Sequence, residues 1–256
     1  MKVKLRTGAA LLLALSVTAG LVGMVRQQLD YDRGAADYRE ARQLAGLAEA
    51  EPASVSALPE ESALRQTLQE IDLPALQQIN PDVIGWILIP GTGISYPLMQ
   101  TEDNEYYLKH TWKREKNSTG AIFLDYRNSA SFSDFNSLIY GHRMRNGSMF
   151  GSLHNYKETA FWETSPSIYI INADGIYRYD IFAAYEADVK EMLFTPGIEE
   201  PSQRQKILER SGDCSVIRTG IAPTVTEPVL TLVTCTGKGY STRWVVQAVR
   251  AEPSLG

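Results

Sequence analysis

The stretch Val229–Val249, VLTLVTCTGKGYSTRWVVQAV, holds two apolar runs separated by a short glycine-containing loop. Val229–Thr234 and Trp244–Val249 are rich in β-branched residues, and the Thr-Gly-Lys-Gly between them breaks any helix, so the pair reads as neighbouring strands. Working outward from it, six more short runs rich in Ile, Val, Tyr and Phe lie between Gly, Pro, Asn and Asp punctuation: Ile84–Ile89, Ile94–Met99, Ala121–Leu124, Leu138–Tyr140, Ile168–Ile171 and Tyr177–Tyr185. Asn172-Ala-Asp-Gly175 reads as a tight hairpin turn, its glycine free to take positive φ. One segment in this region, Glu200–Arg210, reads as a helix that starts near Pro201 and ends before Gly212. Strands so spaced, with few helices, predict a mainly β fold: an eight-stranded closed or nearly closed barrel, with N-terminal helices and a helix between strands 6 and 7. No repeat and no second compact domain is apparent.

Upstream the character changes. Thr7–Val25 runs 19 positions without a charge; as a helix it would span roughly 28 Å, close to a bilayer core. Lys2, Lys4 and Arg6 precede it, which predicts an N-inside anchor. The competing reading is a cleaved signal peptide with its site near Val17-Thr18-Ala19. Either would export the remainder. The predicted organisation is an anchor over 1–25, an extracellular linker over 26–60, and a catalytic domain over 61–256. That domain begins with a helical lead-in, Ser62–Ile79, broken by Pro74. The predicted localisation is the cell membrane, single-pass, with the domain extracellular.

Composition narrows the function. The formal net charge is −5, from 25 Lys+Arg against 30 Asp+Glu, and three of the positive charges precede the first apolar run. An acidic body offers no footprint for phosphate backbones, which argues against nucleic-acid binding. Two cysteines are too few for a disulfide scaffold. His110, His142 and His154 have no short ligand spacing between them, so no metal is predicted. Gly91-Thr-Gly93 lacks the third glycine of a dinucleotide loop, and no cofactor is predicted.

Cys235 ends an apolar strand and precedes a glycine-rich loop. A strand end fixes the backbone while the loop leaves room for a substrate, which suits a nucleophile. Lys238 and Arg243 can supply the positive field that favours thiolate. The competing readings are a buried structural cysteine, or a disulfide to Cys214. His142, in Leu-Ile-Tyr-Gly-His, stands just beyond another apolar strand and can serve as general acid and base; alternatively it is a hydrogen-bonded loop histidine. Arg243 opens the last strand, either to hold an oxyanion or as a solvated charge.

Together these motifs resemble those of class B sortases. The resemblance rests on Thr231-Leu-Val-Thr-Cys235 with Arg243 following, on Gly120–Asn128, on the Gly-His142 pair, on Gly147–Gly151, on Gly85-Trp-Ile and on Asp103–Leu108, and covers about residues 80–250. It departs at Val233, where many members have Ser, and in the short loop from Cys235 to Arg243. The resemblance implies a sortase-type barrel and a cysteine transpeptidase of a Gram-positive-type bacterium. Cys235, His142 and Arg243 would be catalytic; Asn104, Leu108 and Thr234 would be substrate-binding. The implied partners are surface proteins with a C-terminal sorting signal, cleaved after its Thr, and a peptidoglycan precursor amine. A pilus polymerase using a pilin lysine is one alternative. An anchored β-barrel binding module with a Cys214–Cys235 disulfide is the other.

Overall fold

Parallel strand pairs cannot be joined by a hairpin, so wherever this barrel uses one the chain must travel, and those excursions build the rim where the candidate residues stand. The computed structural model describes residues 2–47, 61–195 and 197–251. Eight strands, β1 (Val83–Leu88), β2 (Ser95–Met99), β3 (Ile122–Leu124), β4 (Asn136–Tyr140), β5 (Ser167–Asn172), β6 (Gly175–Asp188), β7 (Val229–Cys235) and β8 (Thr242–Arg250), close a barrel in the order β1-β2-β3-β4-β7-β8-β6-β5. Each contains or overlaps one of the predicted runs. β2–β3 and β4–β7 are the parallel pairs. The first crossover carries the 3-10 turn Tyr106–Leu108, and the second encloses a short helix α4 (Thr159–Thr164), β5, β6 and helix α5 (Pro201–Cys214).

The β5–β6 hairpin follows its turn chemistry. Asn172 pairs with Gly175; the Asn172 side-chain oxygen accepts from the backbone N–H groups of Asp174 (2.9 Å) and Gly175 (3.2 Å). Gly175 takes φ +144. Alternation along β7 splits its side chains between two cores: Leu230 and Leu232 join the barrel interior with Trp86, Leu98 and Ile122, while Val229 and Val233 join an outer core with Tyr185, Leu193 and α5.

The helices differ from expectation in detail. α5 spans Pro201–Cys214 and buries Ile207, Leu208 and Ser211. It passes through Gly212 because Ser211 is locked in place, its hydroxyl donating to the Ile207 carbonyl (2.7 Å) and its own carbonyl accepting from Ser215 N (3.0 Å). In the lead-in, α2 (Glu61–Gln69) and α3 (Leu73–Ile79) are separate helices. Pro74 sits in the first turn of α3, where Asp72 caps Ala75 N at 2.9 Å.

The N-terminal segment requires a correction. α1 is one continuous helix, Lys2–Leu44. Among the described residues no helix is long and apolar enough to cross a membrane. That finding overturns the expected single-pass anchor, and with it the cell-membrane localisation with an extracellular domain. From Val22 on, the described part of α1 carries Arg26, Asp30, Asp32 and Arg33 in close succession, charges that a hydrocarbon core does not accept. Its later turns lie on the barrel instead. Asn117 Nδ2 donates to Asp30 O (2.8 Å), Trp112 Nε1 to Asp37 O (2.8 Å) and the Tyr38 hydroxyl to Gly120 O. The linker expected over 26–60 is thus helical to Leu44, and its part from 48 to 60 lies outside the described residues.

Close backbone approach at Gly85 gives a test of barrel closure. A Cβ there would lie 2.3 Å from the Ile171 carbonyl oxygen, an atom fixed in the β1–β5 ladder. Gly85→Ala is expected to destabilise the domain by about 1–3 kcal/mol, measured by urea unfolding. An unchanged midpoint would show that β5 yields freely.

Candidate active site

Strand register brings three residues to one rim. In the parallel β4–β7 pair Tyr140 faces Val233, and in the antiparallel β7–β8 pair Cys235 faces Arg243. His142 follows Tyr140 by the same two steps by which Cys235 follows Val233. Two hydrogen bonds carry the pairing past the end of β4: Gly141 N donates to Val233 O (3.2 Å) and the Thr234 hydroxyl donates to Gly141 O (2.8 Å). Cys235 and Arg243 are therefore cross-strand partners with side chains on the same, outer face, and His142 stands two residues beyond the end of β4 at the same rim. Cys235 is exposed although Val229–Thr234 before it are buried. Cys214, half-buried at the end of α5, is also a free thiol, so no disulfide joins the two.

The imidazole is held from behind. His142 Nε2 lies 2.7 Å from the Leu108 carbonyl, which only accepts, so Nε2 carries the proton. Nδ1 has no hydrogen-bond partner among the described residues and can exchange a proton. The ring fits because Gly120, at φ +59, has no Cβ; one would come within 3.0 Å of His142 Cδ2 and 2.6 Å of Tyr107 O. Arg243 is half-held: its Nη1 donates to Tyr240 O (3.0 Å) and Thr242 O (2.8 Å), leaving Nε and Nη2 for a ligand. Lys238, expected to add positive field, is neutralised by Glu186 at 2.6 Å. The hydrogen bonds from Lys238 and Thr242 hold the Glu186 carboxyl below its ordinary range.

The three residues read as substrate-binding occupy different places. Thr234 is buried and its hydroxyl is spent on Gly141. Leu108 is 36% exposed beside His142. Asn104, at the far end of the same segment, donates to Asp125 Oδ2 (2.9 Å) and accepts from Tyr126 N (3.0 Å). Asp125 also holds Arg127 at 2.7 Å and the Tyr140 hydroxyl at 3.1 Å. Burial pushes the Asp125 carboxyl up, but the bonds from Arg127 and Asn104 outweigh it and leave it below its ordinary range.

Two neighbours escaped sequence reasoning. Arg143 Nη1 donates to Thr236 O at 2.7 Å, tying the residue after His142 to the residue after Cys235. His154 lies 5.3 Å from the Trp244 ring, and burial, with Arg143 and Lys157 nearby, pushes it down to about 4. Neither has a motif of its own; only long-range packing reveals them. His110, by contrast, stacks on Tyr106 at 4.0 Å and bonds its carbonyl, a local structural contact.

The chain is similar to known proteins in sequence and in fold. Residues 87–251 match the family model described as the sortase domain. The chain is 36% identical over 178 residues to Sortase B of Listeria monocytogenes, covering 69% of this chain and 72% of that one. It is 33% identical over 161 residues to Sortase B of Staphylococcus aureus, covering 63% and 66%. Among solved structures, it superposes on a Staphylococcus aureus sortase B–substrate complex with a TM-score of 0.74 at 28% identity, over 88% of this chain and all of that one.

The thiol geometry is directly measurable. Native protein alkylated without reductant is expected to show two labelled cysteines by mass spectrometry, the exposed Cys235 reacting before the half-buried Cys214. A Cys214–Cys235 disulfide in native protein would contradict the arrangement.

Proposed function

This chain belongs to the sortase family, within class B, and is a cysteine transpeptidase of the kind that serves cell-wall anchoring; from that premise we propose the reaction and residues that follow. With its thiol proton held by His142, Cys235 attacks the carbonyl carbon of the Thr in a sorting signal, of the Asn-Pro-x-Thr or related kind, near the C-terminus of a surface protein. His142 gives a proton to the departing amine as the C–N bond breaks, leaving a thioacyl enzyme. An amine of a peptidoglycan precursor then attacks the thioester carbonyl. His142 takes the amine's proton, the C–S bond breaks, and Cys235 is restored. The donors of Arg243 left free by the loop carbonyls face the developing oxyanion or a peptide carbonyl. Leu108 offers an apolar side chain to the signal peptide beside the imidazole, and Asn104 shapes the far end of that wall. Thr234 acts by holding Gly141, and so the approach of His142, in register.

The observation that carries this reading is that Cys235 and Arg243 face each other across β7 and β8 while His142 follows β4, the other neighbour of β7, at the same rim. The free thiols of Cys214 and Cys235 favour it over a disulfide-bonded binding module.

Cys235→Ala and His142→Ala are each expected to abolish cleavage of a fluorogenic sorting-signal peptide while the thermal midpoint stays within a few degrees of the wild type. Nucleophile and proton carrier act in one pathway, so the double variant should be no worse than either single. Substantial cleavage by the Cys235→Ala protein would assign the chemistry elsewhere.

Arg243→Lys tests geometry against charge. An ammonium cannot bond both loop carbonyls and still present two fixed donors to a substrate. The variant is expected to keep the fold and the alkylation of Cys235 but to lose about 10²–10³ in transpeptidation rate. A near wild-type rate would mean that positive charge alone suffices.

A further inference from the structure

The loop that joins Cys235 to Arg243 has little apolar anchorage. Gly237 and Gly239 take φ +80 and +108, and Tyr240 is 91% exposed. Its shape depends on polar bonds. The backbone N–H of Lys238 donates to the Thr236 hydroxyl (3.1 Å), which lies 3.1 Å from the Thr242 hydroxyl, which in turn donates to Glu186 Oε1 (2.8 Å). A carboxylate only accepts, so the direction of the chain is set from its end: Thr242 gives its proton to Glu186, and Thr236 must give its own to Thr242. Glu186 stands on β6, across from Trp244, the neighbour of Arg243. Two further bonds frame the loop, from Arg143 to Thr236 O (2.7 Å) and from Val189 N to Ser241 O (3.0 Å).

The consequence reaches Arg243. Its guanidinium rests on the carbonyls of Tyr240 and Thr242, so its position follows the backbone of this loop. The contact from Glu186 to Lys238 contributes little to that order, because the Lys238 side chain is 71% exposed. The hydroxyl chain is the part shielded from water, with Thr236 buried and Thr242 half-buried.

We infer that Glu186 is a positioning residue for transpeptidation: through the hydroxyls of Thr242 and Thr236 it closes the base of the loop and fixes Arg243 beside Cys235, without touching the substrate. This rests on the transpeptidase reading above. A carboxylate two strands away from the nucleophile thereby sets the aim of the oxyanion donor.

The test uses the full chain with Glu186→Leu, which removes the acceptor, Thr242→Val and Thr242→Ser, measuring peptide-cleavage kinetics, thermal midpoint and amide hydrogen exchange over 236–242. Glu186→Leu and Thr242→Val are expected to lower kcat by up to about 10²-fold with KM little changed, the loss that misplacing a catalytic group can cause. Both should speed exchange in that segment, and their combination should be no slower in turnover than the slower single. Thr242→Ser, which keeps the hydroxyl, should restore kcat and protection together. Unchanged kcat or unchanged exchange in Glu186→Leu overturns the inference, as does a Thr242→Ser protein as impaired as Thr242→Val. Failure of the wild-type protein to cleave a sorting peptide would overturn the transpeptidase reading instead, and the exchange measurements would still decide whether Glu186 orders the loop.

Discussion

The rim depends on one constraint, the parallel register of β4 against β7 carried one residue beyond the end of β4, to the glycine before His142. Backbone pairing stops at Tyr140 and Val233; the Gly141 amide and the Thr234 hydroxyl take it further. A slip of one residue would turn Cys235 from the outer face into the barrel, since side chains alternate along a strand. The same constraint explains the glycine before His142. A Cβ at Gly141 would lie 2.4 Å from Ile122 Cδ1 and 2.7 Å from Phe150 Cδ2, so only glycine lets the chain leave β4 on this path.

A buried polar ladder guards that register deeper in the sheet. Gln247 Nε2 donates to the Thr231 hydroxyl (3.1 Å), which donates to Asn136 Oδ1 (2.7 Å), while Asn136 Nδ2 reaches Leu193 O (3.0 Å). These residues sit on β8, β7 and β4, the strands that carry Arg243 and Cys235 and lead into His142. Unpaired, such groups would be costly in an apolar setting, so any other register is penalised at each step. Stability and catalytic alignment thus share one set of contacts.

Polar bonds, more than packing, shape the remainder of the site. The imidazole hangs on the Leu108 carbonyl, the guanidinium on Tyr240 and Thr242, and the wall from Asn104 to Leu108 on Asp125. Each support is a main-chain atom or a buried carboxylate, groups that cannot wander far. His142 and Arg243 are held through one nitrogen each, leaving Nδ1 on His142 and two nitrogens on Arg243 open beside the exposed sulfur of Cys235.

Local chemistry determined a good deal. β-branched and aromatic runs between glycine, proline and asparagine marked all eight strands, because strand preference and turn preference are properties of a few neighbouring residues. The same runs placed Cys235, His142 and Arg243 at strand ends, and their motifs carried the family resemblance. Other features were beyond sequence because they are long-range. Which strands pair, and on which face a residue then lies, is decided by closure of the barrel. The bond from the Thr234 hydroxyl to Gly141 and the pairing of Lys238 with Glu186 join residues far apart in the chain, and no local pattern announces them. Thr7–Val25 reads as a membrane anchor from its own hydropathy, but it belongs to a helix that runs on into charged turns laid against the barrel. Propensity and hydropathy are sums over adjacent residues; register, charge pairing and docking are relations between distant ones, and only the folded chain settles them.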